Sequence, residues 1–568
     1  MINRWIYQDL RDNGSVEELS ESLDMPQIVS RILHQRGISS PAEVETFFNP
    51  SLNDLHDPFG MKGMRIGIDR INEAIKKNQK ILIYGDYDVD GTTSVALVYG
   101  FIKHIHSNID YYIPDRYHEG YGVSEKGIQW AIDQGFSLII TLDCGIKAIE
   151  TSQMAFDHGI DMIICDHHLP GEELPNAVAI IDPKQQDCAY PYKELSGCGI
   201  GFKLIQAFCI SNDYDPDFLY DYLDLVTISI ASDIVPVTGE NRILSHFGLK
   251  KLNNDPRPGV QALIEKSNIK GDINITSIVF GIGPRINASG RMDHAKSAVE
   301  LLLSADIRSA LSIADSLDDQ NAERRNFDHS ITTEAMEMIE RSENLKSAKS
   351  TVLFKNDWHK GVIGIVASRC LDKYYRPTII LTESNGKATG SARSVAGFNV
   401  HEAIAECSDL LDQYGGHMYA AGLTMELGNI ENFKEKFEKV VSSNISDDML
   451  VPQIEIDAIL DFEVIDYKFF NYLIQMAPFG PGNMQPVFVT HDLKISGYAK
   501  VLKEQHLKFT VKQGENTAHE FEAIAFGMAE YADLVGSGMP FSMAYYLEEN
   551  TFMGNSTLQL RVKDLKFD

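Results

Sequence analysis

Apolar runs and helical patterns alternate between Gln79 and Asp182. Runs of four to six mostly apolar residues predict short buried strands, and stretches of about a dozen residues with helical spacing separate them. Strands are expected at Lys80–Tyr84, Asp110–Ile113, Ser137–Leu142, Asp161–Cys165 and Ala177–Ile181. Helices are expected at about Thr92–His104, Val123–Gln134 and Ile146–His158. Buried strands linked by helices are typical of a parallel sheet, so we expect an α/β domain here.

The pattern changes twice further along the chain. Residues 295–344 are mostly good helix formers and predict a long connecting helix or helix pair. A second α/β pattern follows up to Ser443, with strands expected at Thr351–Phe354 and Pro377–Leu381 on either side of a helix at Ile363–Asp372. After Asp447 short alternating strands predominate, for example Leu507–Val511, Phe541–Tyr546 and Leu558–Val562. Their number and length favour a small β-barrel of the OB type.

These patterns divide the 568 residues into five parts. We expect an N-terminal extension over 1–60, a first α/β domain over 61–295, a helical connection over 296–349, a second α/β domain over 350–447 and a barrel over 448–568. At about 150 residues per domain, this length accommodates three or four domains. The 44% of hydrophobic and 23% of charged residues are typical of globular chains and exclude a disordered protein.

The composition also limits the compartment. No stretch approaches the roughly 18 apolar residues of a membrane span, and the first ten residues lack the apolar core of a signal peptide. The seven cysteines are odd in number and include no Cys-x-x-Cys pair, which argues against a disulfide framework and a structural zinc site. We therefore expect a cytoplasmic protein without a membrane partner.

The net charge of −30, from 51 basic and 81 acidic residues, argues against a nucleic-acid partner. Proteins that bind nucleic acids usually present a basic surface. Such a partner is still compatible with this charge if acidic clusters hold metal ions and the basic residues line one channel. The motifs must decide between these interpretations.

The acidic residues cluster at predicted strand ends. Asp86, Asp88 and Asp90 alternate along the segment after the first strand, and residues two apart in extended backbone share a face. Asp143 and the run Asp166–His168 come just after two further strands. Open α/β sheets place their sites at the carboxyl ends of the strands, so we expect these groups to converge. For Asp86 alone, a helix cap is an equally good interpretation.

A convergent set of carboxylates and imidazoles requires a cation. Without one the carboxylates would repel each other strongly. Oxygen-rich ligation with one or two histidines suits Mn²⁺ or Mg²⁺ better than a thiolate-preferring ion. Together with Asp233, the set contains enough ligands for two ions with a bridging carboxylate, the arrangement that hydrolyses phosphate esters by in-line attack.

The ordered motifs resemble those of the DHH phosphoesterase superfamily. The matching segments are Asp86–Gly91, Thr141–Gly145, Asp166–His168 and Ile230–Pro236. Further segments are similar to the branch of single-stranded-DNA-specific exonucleases, namely Gly283–Arg291, Trp358–Arg369, Gly390–Ser394, Gly415–Gly422 and Pro478–Asn483. The resemblance implies a parallel-sheet DHH catalytic domain, a smaller α/β DHH-associated domain after the long helix, and a C-terminal OB-like barrel.

The resemblance also implies the metal ligands. They are Asp88, Asp90, Asp143, His167 and Asp233, with Asp143 as the bridge and catalytic carboxylate. Asp86 matches an acidic position of the motif that the resemblance assigns less firmly as a ligand. Many relatives in the superfamily have a histidine where this chain has Tyr84, and its absence here favours Asp86 as a ligand. His168 would lie beside the scissile phosphate as a catalytic group. Its alternative interpretation is a hydrogen-bonded structural histidine.

Substrate contacts are expected from both α/β domains. Ser391 and Arg393 lie two apart on an extended segment, where a hydroxyl and a bidentate guanidinium would suit a terminal phosphate. The resemblance implies that they form a 5′-phosphate pocket, that His417 after two glycines touches a phosphate, and that Arg116 and Arg285 contact the substrate backbone. For each arginine the alternative is a surface ion pair, and for the glycines an ordinary turn.

The function implied by the resemblance is a two-metal exonuclease. It would use Mn²⁺ or Mg²⁺ to degrade single-stranded DNA from the 5′ end to mononucleotides, in DNA repair and recombination. Helicases and single-strand-binding protein are the expected partners, and we expect a monomer. Two alternatives stay open: a phosphodiesterase of the same superfamily acting on short oligonucleotides or cyclic dinucleotides, and a non-catalytic DNA-binding scaffold. The barrel argues against the first alternative, and the complete ligand set argues against the second.

Overall fold

The computed structural model describes residues 3–8, 13–215, 217–514 and 519–567. These residues form two units, each described here by itself. The first unit contains residues 56–233 and 247–452, and the second contains residues 3–55, 234–246 and 453–568. Within the described part of the chain, no helix is long and apolar enough to cross a membrane.

The first α/β domain is built on five parallel strands. Their order across the sheet is Ile109–Tyr112, Ile81–Gly85, Leu138–Leu142, Asp161–Cys165 and Ala179–Ile181. Every residue of the strands Ile81–Gly85 and Leu138–Leu142 is buried, as the apolar runs predict for a sheet covered on both faces. The predicted α/β domain is therefore confirmed, and the predicted strands differ from the observed ones by a few residues at their ends.

Helices cover this sheet and extend the domain. They are Met64–Lys76, Val89–Ile105, Glu125–Asp133, Ile149–Asp157, Gly197–Ser211, Asp217–Tyr220, Leu223–Ser232, Pro258–Ser267, Ile275–Ser277, Gly283–Met292 and Lys296–Leu302, with a π-helical turn at Ile278–Ile282. The helix Gly239–Asn254 belongs to this unit from residue 247 onward and to the second unit before it. The helix Val89–Ile105 begins three residues earlier than predicted because the Asp88 side chain caps it, accepting a hydrogen bond from the Gly91 amide at 3.0 Å.

A helix of 35 residues, Ile307–Arg341, joins the two α/β domains. The Asp306 side chain caps its first turn by accepting hydrogen bonds from the Arg308 and Ser309 amides, both at 3.0 Å. A short helix, Glu343–Ser347, follows it. The long connecting helix predicted from the run of helix formers is thus present.

The second α/β domain has a mixed sheet of five strands. Their order is Gln413–His417, Ala420–Glu426, Lys387–Arg393, Thr378–Ser384 and Thr351–Phe354. Neighbouring strands are antiparallel except the last pair, which is parallel. The helices Ile363–Tyr374, Val400–Ala405 and Ile430–Asn444 pack on this sheet, and Phe433 and Phe437 of the last helix are fully buried.

The second unit contains a barrel and the N-terminal segment. The barrel sheet has seven strands, in the order Ala458–Ile459, Phe488–Ile495, Phe541–Phe552, Asn555–Phe567, Glu520–Ala525, His506–Gln513 and Lys500–Leu502. A further pairing of Phe488–Ile495 with His506–Gln513 closes the ring, which confirms the predicted barrel. Both strands extend towards each other past the predicted Phe541–Tyr546 and Leu558–Val562 into an exposed hairpin, and the second strand also continues to Phe567, opposite Phe541.

The N-terminal segment packs on this barrel within the same unit. The strand Arg4–Tyr7 pairs in parallel with Gln453–Ile456, and the helices of this unit are Asn13–Leu23, Gln27–Gln35, Pro41–Phe48, Tyr467–Gln475 and Ala532–Gly536. Val29, Ile32 and Leu33 share one hydrophobic core with barrel residues such as Phe488 and Phe541. The Trp5 indole donates a hydrogen bond to the Asp564 carboxylate at 2.7 Å.

Candidate metal centre and phosphate pocket

The carboxyl ends of three neighbouring parallel strands carry the central residues of the first domain. Asp86 follows Ile81–Gly85, Asp143 follows Leu138–Leu142, and Asp166 and His167 follow Asp161–Cys165. The strands are paired in register and parallel, so these residues meet at one edge of the sheet.

The His167 imidazole lies at the centre of a carboxylate cluster. Its Nε2 is 3.1 Å from Asp143 Oδ1, 3.6 Å from Asp233 Oδ2 and 3.7 Å from Asp90 Oδ2. The ring is buried, and neither of its nitrogens makes a well-aligned hydrogen bond within the described residues. Asp90, His167 and Asp233 form one group that could hold a metal ion, and Asp143, His167 and His168 form another. A buried imidazole with free nitrogens among carboxylates suits a metal ligand.

Asp88 and Asp90 reach the cluster differently from the prediction. The strand ends at Gly85 and Asp90 lies in a helix, so the expectation that Asp86, Asp88 and Asp90 share the face of a strand is wrong. Asp88 is the helix cap, and Asp90 lies in the first turn of the helix Val89–Ile105. The chain turns at this point, and the helix start, rather than strand alternation, directs both carboxylates towards the cluster.

Asp90 is held firmly by its neighbours. Its Oδ2 accepts a hydrogen bond from the Gly197 amide at 2.7 Å, and its Oδ1 accepts one from the Cys198 amide and one from the Ser229 hydroxyl, each at 2.7 Å. The two amides belong to the first turn of the helix Gly197–Ser211, whose positive end favours an anion. Asp90 is therefore fixed before any ligand binds.

Asp143 occupies a strained backbone position. Its φ is +60°, in the left-handed region that few non-glycine residues adopt. A side chain at Gly197 would place its Cβ 2.6 Å from the Asp143 Cβ, so only glycine allows this approach. Strain of this kind often marks a functional residue.

Burial and mutual repulsion disfavour the charged carboxylates. Burial, followed by the charges of neighbouring carboxylates, raises the pKa of Asp86 and Asp143 well above the ordinary range. The same causes raise the pKa of Asp88, and they raise that of Asp233 to about 9. The buried Asp86 Oδ2 also has no hydrogen-bond partner among the described residues. A bound divalent cation would neutralise these charges, so the donor set fits such an ion.

His168 sits beside this cluster with a defined orientation. Its Nδ1 is 2.7 Å from Asp166 Oδ1, and its Nε2 is 3.2 Å from the Tyr121 hydroxyl. Although burial lowers the pKa of His168, the hydrogen bond and charge of Asp166 outweigh it, so the pKa is raised overall. The Tyr121 hydroxyl donates a hydrogen bond to the Asp143 carbonyl at 3.0 Å, which ties His168 to the centre.

Ser391 and Arg393 form a pair on one face of the strand Lys387–Arg393. The Arg393 guanidinium donates from Nη1 to the Ser391 hydroxyl at 3.0 Å. The helix Ile363–Tyr374 begins against them, since a Cβ at Gly364 would lie 3.0 Å from both Arg393 Nη2 and Ser391 Oγ. The predicted common orientation of the two side chains is present.

Arginines of the first domain gather around Arg393. Arg116 stacks over the Tyr87 ring at 5.0 Å, and Arg291 donates from Nη1 to the Gly361 carbonyl of the second domain at 3.1 Å. Burial, followed by the positive charges of Arg116, Arg324 and Arg393, lowers the pKa of Arg291 to about 10. Burial and Arg116 likewise lower the pKa of Arg393. We call Ser391, Arg393, Arg116 and Arg291 the phosphate pocket.

The sequence interpretation missed Arg291 and chose Arg285 instead. Arg285 is buried, with Nε 2.8 Å from Asp318 Oδ1 and with Nη1 and Nη2 each donating to a backbone carbonyl at 2.7 Å. The two arginines lie six positions apart, which places them about 120° apart around a helix, so they face different sides of it. Arg291 lies with the pocket, whereas Arg285 is engaged by Asp318 and two carbonyls, and its expected contact with the substrate stays a prediction.

His417 belongs to the edge strand Gln413–His417 of the second domain. Burial, followed by the positive charges of Lys147, His168 and His401, lowers the pKa of His417. The influence of Lys147 and His168 indicates that their charges lie within electrostatic reach of His417. Gly415 and Gly416 are exposed, and a Cβ at Gly416 would lie 2.4 Å from the Ala420 carbonyl oxygen, so glycine is needed there.

Three family models match the chain in order. "DHH family, N-terminal domain" matches residues 80–230, "DHHA1 domain" matches 347–443, and "RecJ OB domain" matches 456–564. The single-stranded-DNA-specific exonuclease RecJ of Bacillus subtilis (strain 168) is 36% identical over 565 residues, which cover 99% of this chain and 70% of that protein.

Two crystal structures of RecJ from Thermus thermophilus also match over the whole chain. The complex with Mn²⁺ has a TM-score of 0.85 and 26% sequence identity, and the match covers 80% of the Thermus chain. The complex with Mg²⁺ has a TM-score of 0.79 and 25% identity, and the match covers 78% of that chain. The fold and the acidic centre thus define a member of the DHH family. Within it, the chain belongs to the family of single-stranded-DNA-specific exonucleases named RecJ.

Proposed function

We propose that the protein is a metal-dependent exonuclease that hydrolyses single-stranded DNA from the 5′ end to mononucleotides, in DNA repair and recombination. The observation that carries the proposal is the position of His167 Nε2 within 3.7 Å of three carboxylates. The arginines of the phosphate pocket offer contacts for phosphate oxygens. The names of the relatives support the choice of DNA as substrate.

The metal ligands are proposed to be Asp86, Asp88, Asp90, Asp143, His167 and Asp233, which would hold two ions of Mn²⁺ or Mg²⁺. Divalent ions in such a site lower the pKa of water and polarise phosphoryl oxygens. Asp143 is the bridging ligand in this proposal, since it is close to His167 and its pKa responds to Asp86, Asp88, Asp90 and Asp233.

The phosphate pocket accounts for the polarity of degradation. Arg393 and Ser391 would bind the 5′-terminal phosphate, and Arg116 and Arg291 would contribute charge to the same group. Recognition of a phosphate rather than a base keeps the reaction independent of sequence. The first linkage after the terminal nucleotide would then reach the metal centre.

The two histidines would act on the scissile phosphate. Asp166 holds His168 Nδ1, so Nε2 is the nitrogen available to donate a hydrogen bond or a proton. His417 and the exposed Gly415 and Gly416 amides would contact the same phosphate from the second domain.

Other parts of the proposal concern organisation and partners. The catalytic domain is taken to span 61–295, the DHH-associated domain 350–447 and the nucleic-acid-binding barrel 448–568, with the extension 1–60 and the connection 296–349. The protein would act as a monomer with helicases and single-strand-binding protein. A location in the cytoplasm is supported by seven cysteines that are all free and buried.

A comparison of substrates tests this function. Nucleotide release from 5′-labelled single-stranded DNA, duplex DNA and RNA is measured with Mn²⁺, with Mg²⁺ and with a chelator. We expect rapid release only from single-stranded DNA and only with a metal. Preferential cleavage of dinucleotides or cyclic dinucleotides would favour the phosphodiesterase alternative. Binding of single strands without any metal-dependent cleavage would favour the scaffold.

A further inference from the structure

A cavity of about 400 Å³ lies wholly within the second unit. Two arginines, Arg36 and Arg242, line it together with apolar side chains that include Ile38, Phe47 and Ile243. We call it the arginine cavity. Its volume is in the range of pockets that hold small ligands, and a mostly apolar wall with a few placed polar groups is the usual composition of such pockets. It shares no residue with the metal centre or the phosphate pocket.

Arg242 is a buried cation whose hydrogen-bonding groups are incompletely satisfied. Its side chain is 4% exposed, and neither Nε nor Nη1 has a hydrogen-bond partner among the residues that the structure describes. Nη2 makes only long contacts to the Gln475 and Met476 carbonyls, at 3.4 and 3.3 Å. The guanidinium lies over the Phe47 ring at 4.0 Å. An unpaired charged donor in the interior is costly, and these two nitrogens expose almost no surface, so an acceptor reaches them only when neighbouring side chains move.

Arg36 adds a second positive charge to the same cavity and is held in a fixed orientation. Its Nη1 donates to the Asn483 Oδ1, and its Nη2 donates to the Met484 carbonyl at 2.5 Å. Asn483 is itself anchored, because its Nδ2 donates to the Met476 and Pro478 carbonyls at 2.9 Å. Burial, followed by the charge of Arg36, lowers the pKa of Arg242 to about 10. The guanidinium groups therefore lie close enough to repel each other.

Two carboxylates near the arginines already accept hydrogen bonds from backbone amides. Glu43 lines the cavity, but its Oε2 accepts hydrogen bonds from the Ser39 and Ser40 amides, both at 2.9 Å, and so caps the helix Pro41–Phe48. Asp457 interacts with Arg36, while its own Oδ2 accepts a hydrogen bond from the Val487 amide at 2.8 Å. The lining of the cavity thus combines two arginines and one glutamate with an aromatic and aliphatic wall.

We propose that the arginine cavity binds a 5′-nucleotide unit, with the phosphate on Arg36 and Arg242 and the base against the apolar wall. Guanidinium groups match phosphate oxygens in a bidentate manner, and the volume exceeds what a free phosphate would need. The ligand class rests on the proposed function, which makes nucleotides available as product and as part of the substrate. Its source is therefore either a released mononucleotide or one unit of a bound strand.

The test measures binding of dAMP to the full chain by calorimetry. The buffer contains a chelator, and every protein carries Arg393→Ala to weaken binding at the phosphate pocket. Removing one charged contact should weaken binding about ten- to a hundredfold, so we expect this loss for Arg242→Gln and for Arg36→Gln. Arg31→Gln is the matched control, because Arg31 belongs to the same unit and its Nη2 donates to the Gln8 carbonyl at 3.2 Å, outside the cavity. Thermal melting of each variant checks that it is folded.

Photolabelling with 8-azido-dAMP locates the ligand and its source. We expect the label in peptides that contain residues 36–50 or 238–243. Competition by a circular single strand, which has no ends, identifies the strand as the source, and competition by dAMP alone identifies the mononucleotide. Equal affinity for deoxyadenosine, labelling elsewhere only, or binding of an acidic peptide in place of dAMP would overturn the proposal. Exonuclease rates of Arg242→Gln with Arg393 intact are measured separately, so failure of the proposed function remains distinguishable.

Discussion

The metal centre and the phosphate pocket are opposite solutions to the binding of phosphate groups. The centre gathers carboxylates at the ends of parallel strands, and their pKa values are raised. The pocket gathers arginines around an antiparallel strand, and the pKa values of Arg291 and Arg393 are lowered. In both regions, groups of like charge lie close together in the unliganded protein. Each region is therefore preorganised for a ligand of the other sign, at a cost in stability of the unliganded protein.

The two regions also differ in what fixes them. Asp90 and Asp143 are constrained by backbone amides and by close packing against Gly197. Arg291 is a long side chain that donates to the Gly361 carbonyl, and Arg393 donates from one nitrogen to the Ser391 hydroxyl and the Ala392 carbonyl. We therefore expect substitutions in the metal centre to abolish hydrolysis, and substitutions in the phosphate pocket to slow hydrolysis of only some substrates.

The largest effect is expected for Asp143→Ala. Loss of the bridging carboxylate should reduce Mn²⁺-dependent cleavage about a thousandfold or more while leaving strand binding intact, because the pocket is unchanged. Initial rates and strand affinity measure the two properties. Asp69→Ala, an exposed acidic residue of the helix Met64–Lys76, is the control and should cleave normally. Substantial activity in a folded Asp143→Ala protein would contradict the metal assignment.

A smaller and selective effect is expected for Arg393→Ala and Arg291→Ala. Each should slow hydrolysis of 5′-phosphorylated strands about ten- to a few hundredfold, because a charged contact to the terminal phosphate is lost. Strands with a 5′-hydroxyl should be affected far less, since they lack that group. Rates for both substrates under limiting enzyme give the ratio. An equal loss on both 5′ ends would show that the pocket does not bind the terminal phosphate.

Arg285→Ala should separate structure from binding. Its buried contacts to Asp318 and two carbonyls predict a loss of about 1–3 kcal/mol in the free energy of unfolding. The preference for 5′-phosphorylated strands should stay that of the unmodified protein. Denaturant unfolding and the ratio of rates measure the two effects. A changed preference at unchanged stability would return Arg285 to the substrate site.

The metal-free centre should make stability depend on pH. Carboxyl groups of the unfolded chain titrate near about 4. Since the folded pKa of Asp233 is raised to about 9, the folded state binds more protons between these values, and stability falls as pH rises. Each proton displaced is worth about 1.4 kcal/mol per pH unit. Because Mn²⁺ needs deprotonated ligands, its stabilising effect should grow from pH 6 to 8.5.

Thermal melting with Mn²⁺ and with a chelator checks this dependence. Asp233→Asn should reduce the pH dependence of the metal-free protein, and Asp69→Asn should leave it unchanged. A metal-free protein whose stability rises steadily over this range would be at odds with protonated carboxyl groups in the centre.

The smallest effect concerns salt. Despite the net charge of −30, strand binding should weaken with salt because the pocket is basic. Because the three arginines would bind one terminal phosphate, the pocket should contribute a slope of about −0.7 to a plot of log affinity against log salt. Arg393→Ala should make the slope shallower by about 0.7. Affinity that is independent of salt would exclude a basic channel.

The sequence predicted the elements better than the reasons for their convergence. The strands Asp161–Cys165 and Thr351–Phe354 were predicted to the residue, because short apolar runs bounded by polar residues are unambiguous. Asp88 and Asp90 were expected at the site through strand alternation, whereas a helix start brings them there. A cap of this kind depends on the turn, which hydrophobic periodicity does not report.

Two other features depend on long-range packing. Arg285 and Arg291 lie in one motif, and only the orientation of the helix Gly283–Met292 decides which of them faces the pocket. The strand Arg4–Tyr7 pairs with Gln453–Ile456, more than 400 residues away, and no local pattern specifies that partner. In both cases the sequence identifies the residues or the strand, but it does not specify which residues they contact in the folded protein.

The size of the first product tests most directly whether the two regions act on one strand. A single-stranded DNA with a labelled 5′-phosphate and a blocked 3′ end is mixed with excess enzyme and Mn²⁺, and products are resolved during the first turnover. If the phosphate pocket holds the terminal phosphate while the metal centre meets the next linkage, the first labelled product is a mononucleotide. A labelled dinucleotide or longer fragment, or arrest by the 3′ block, would contradict the account.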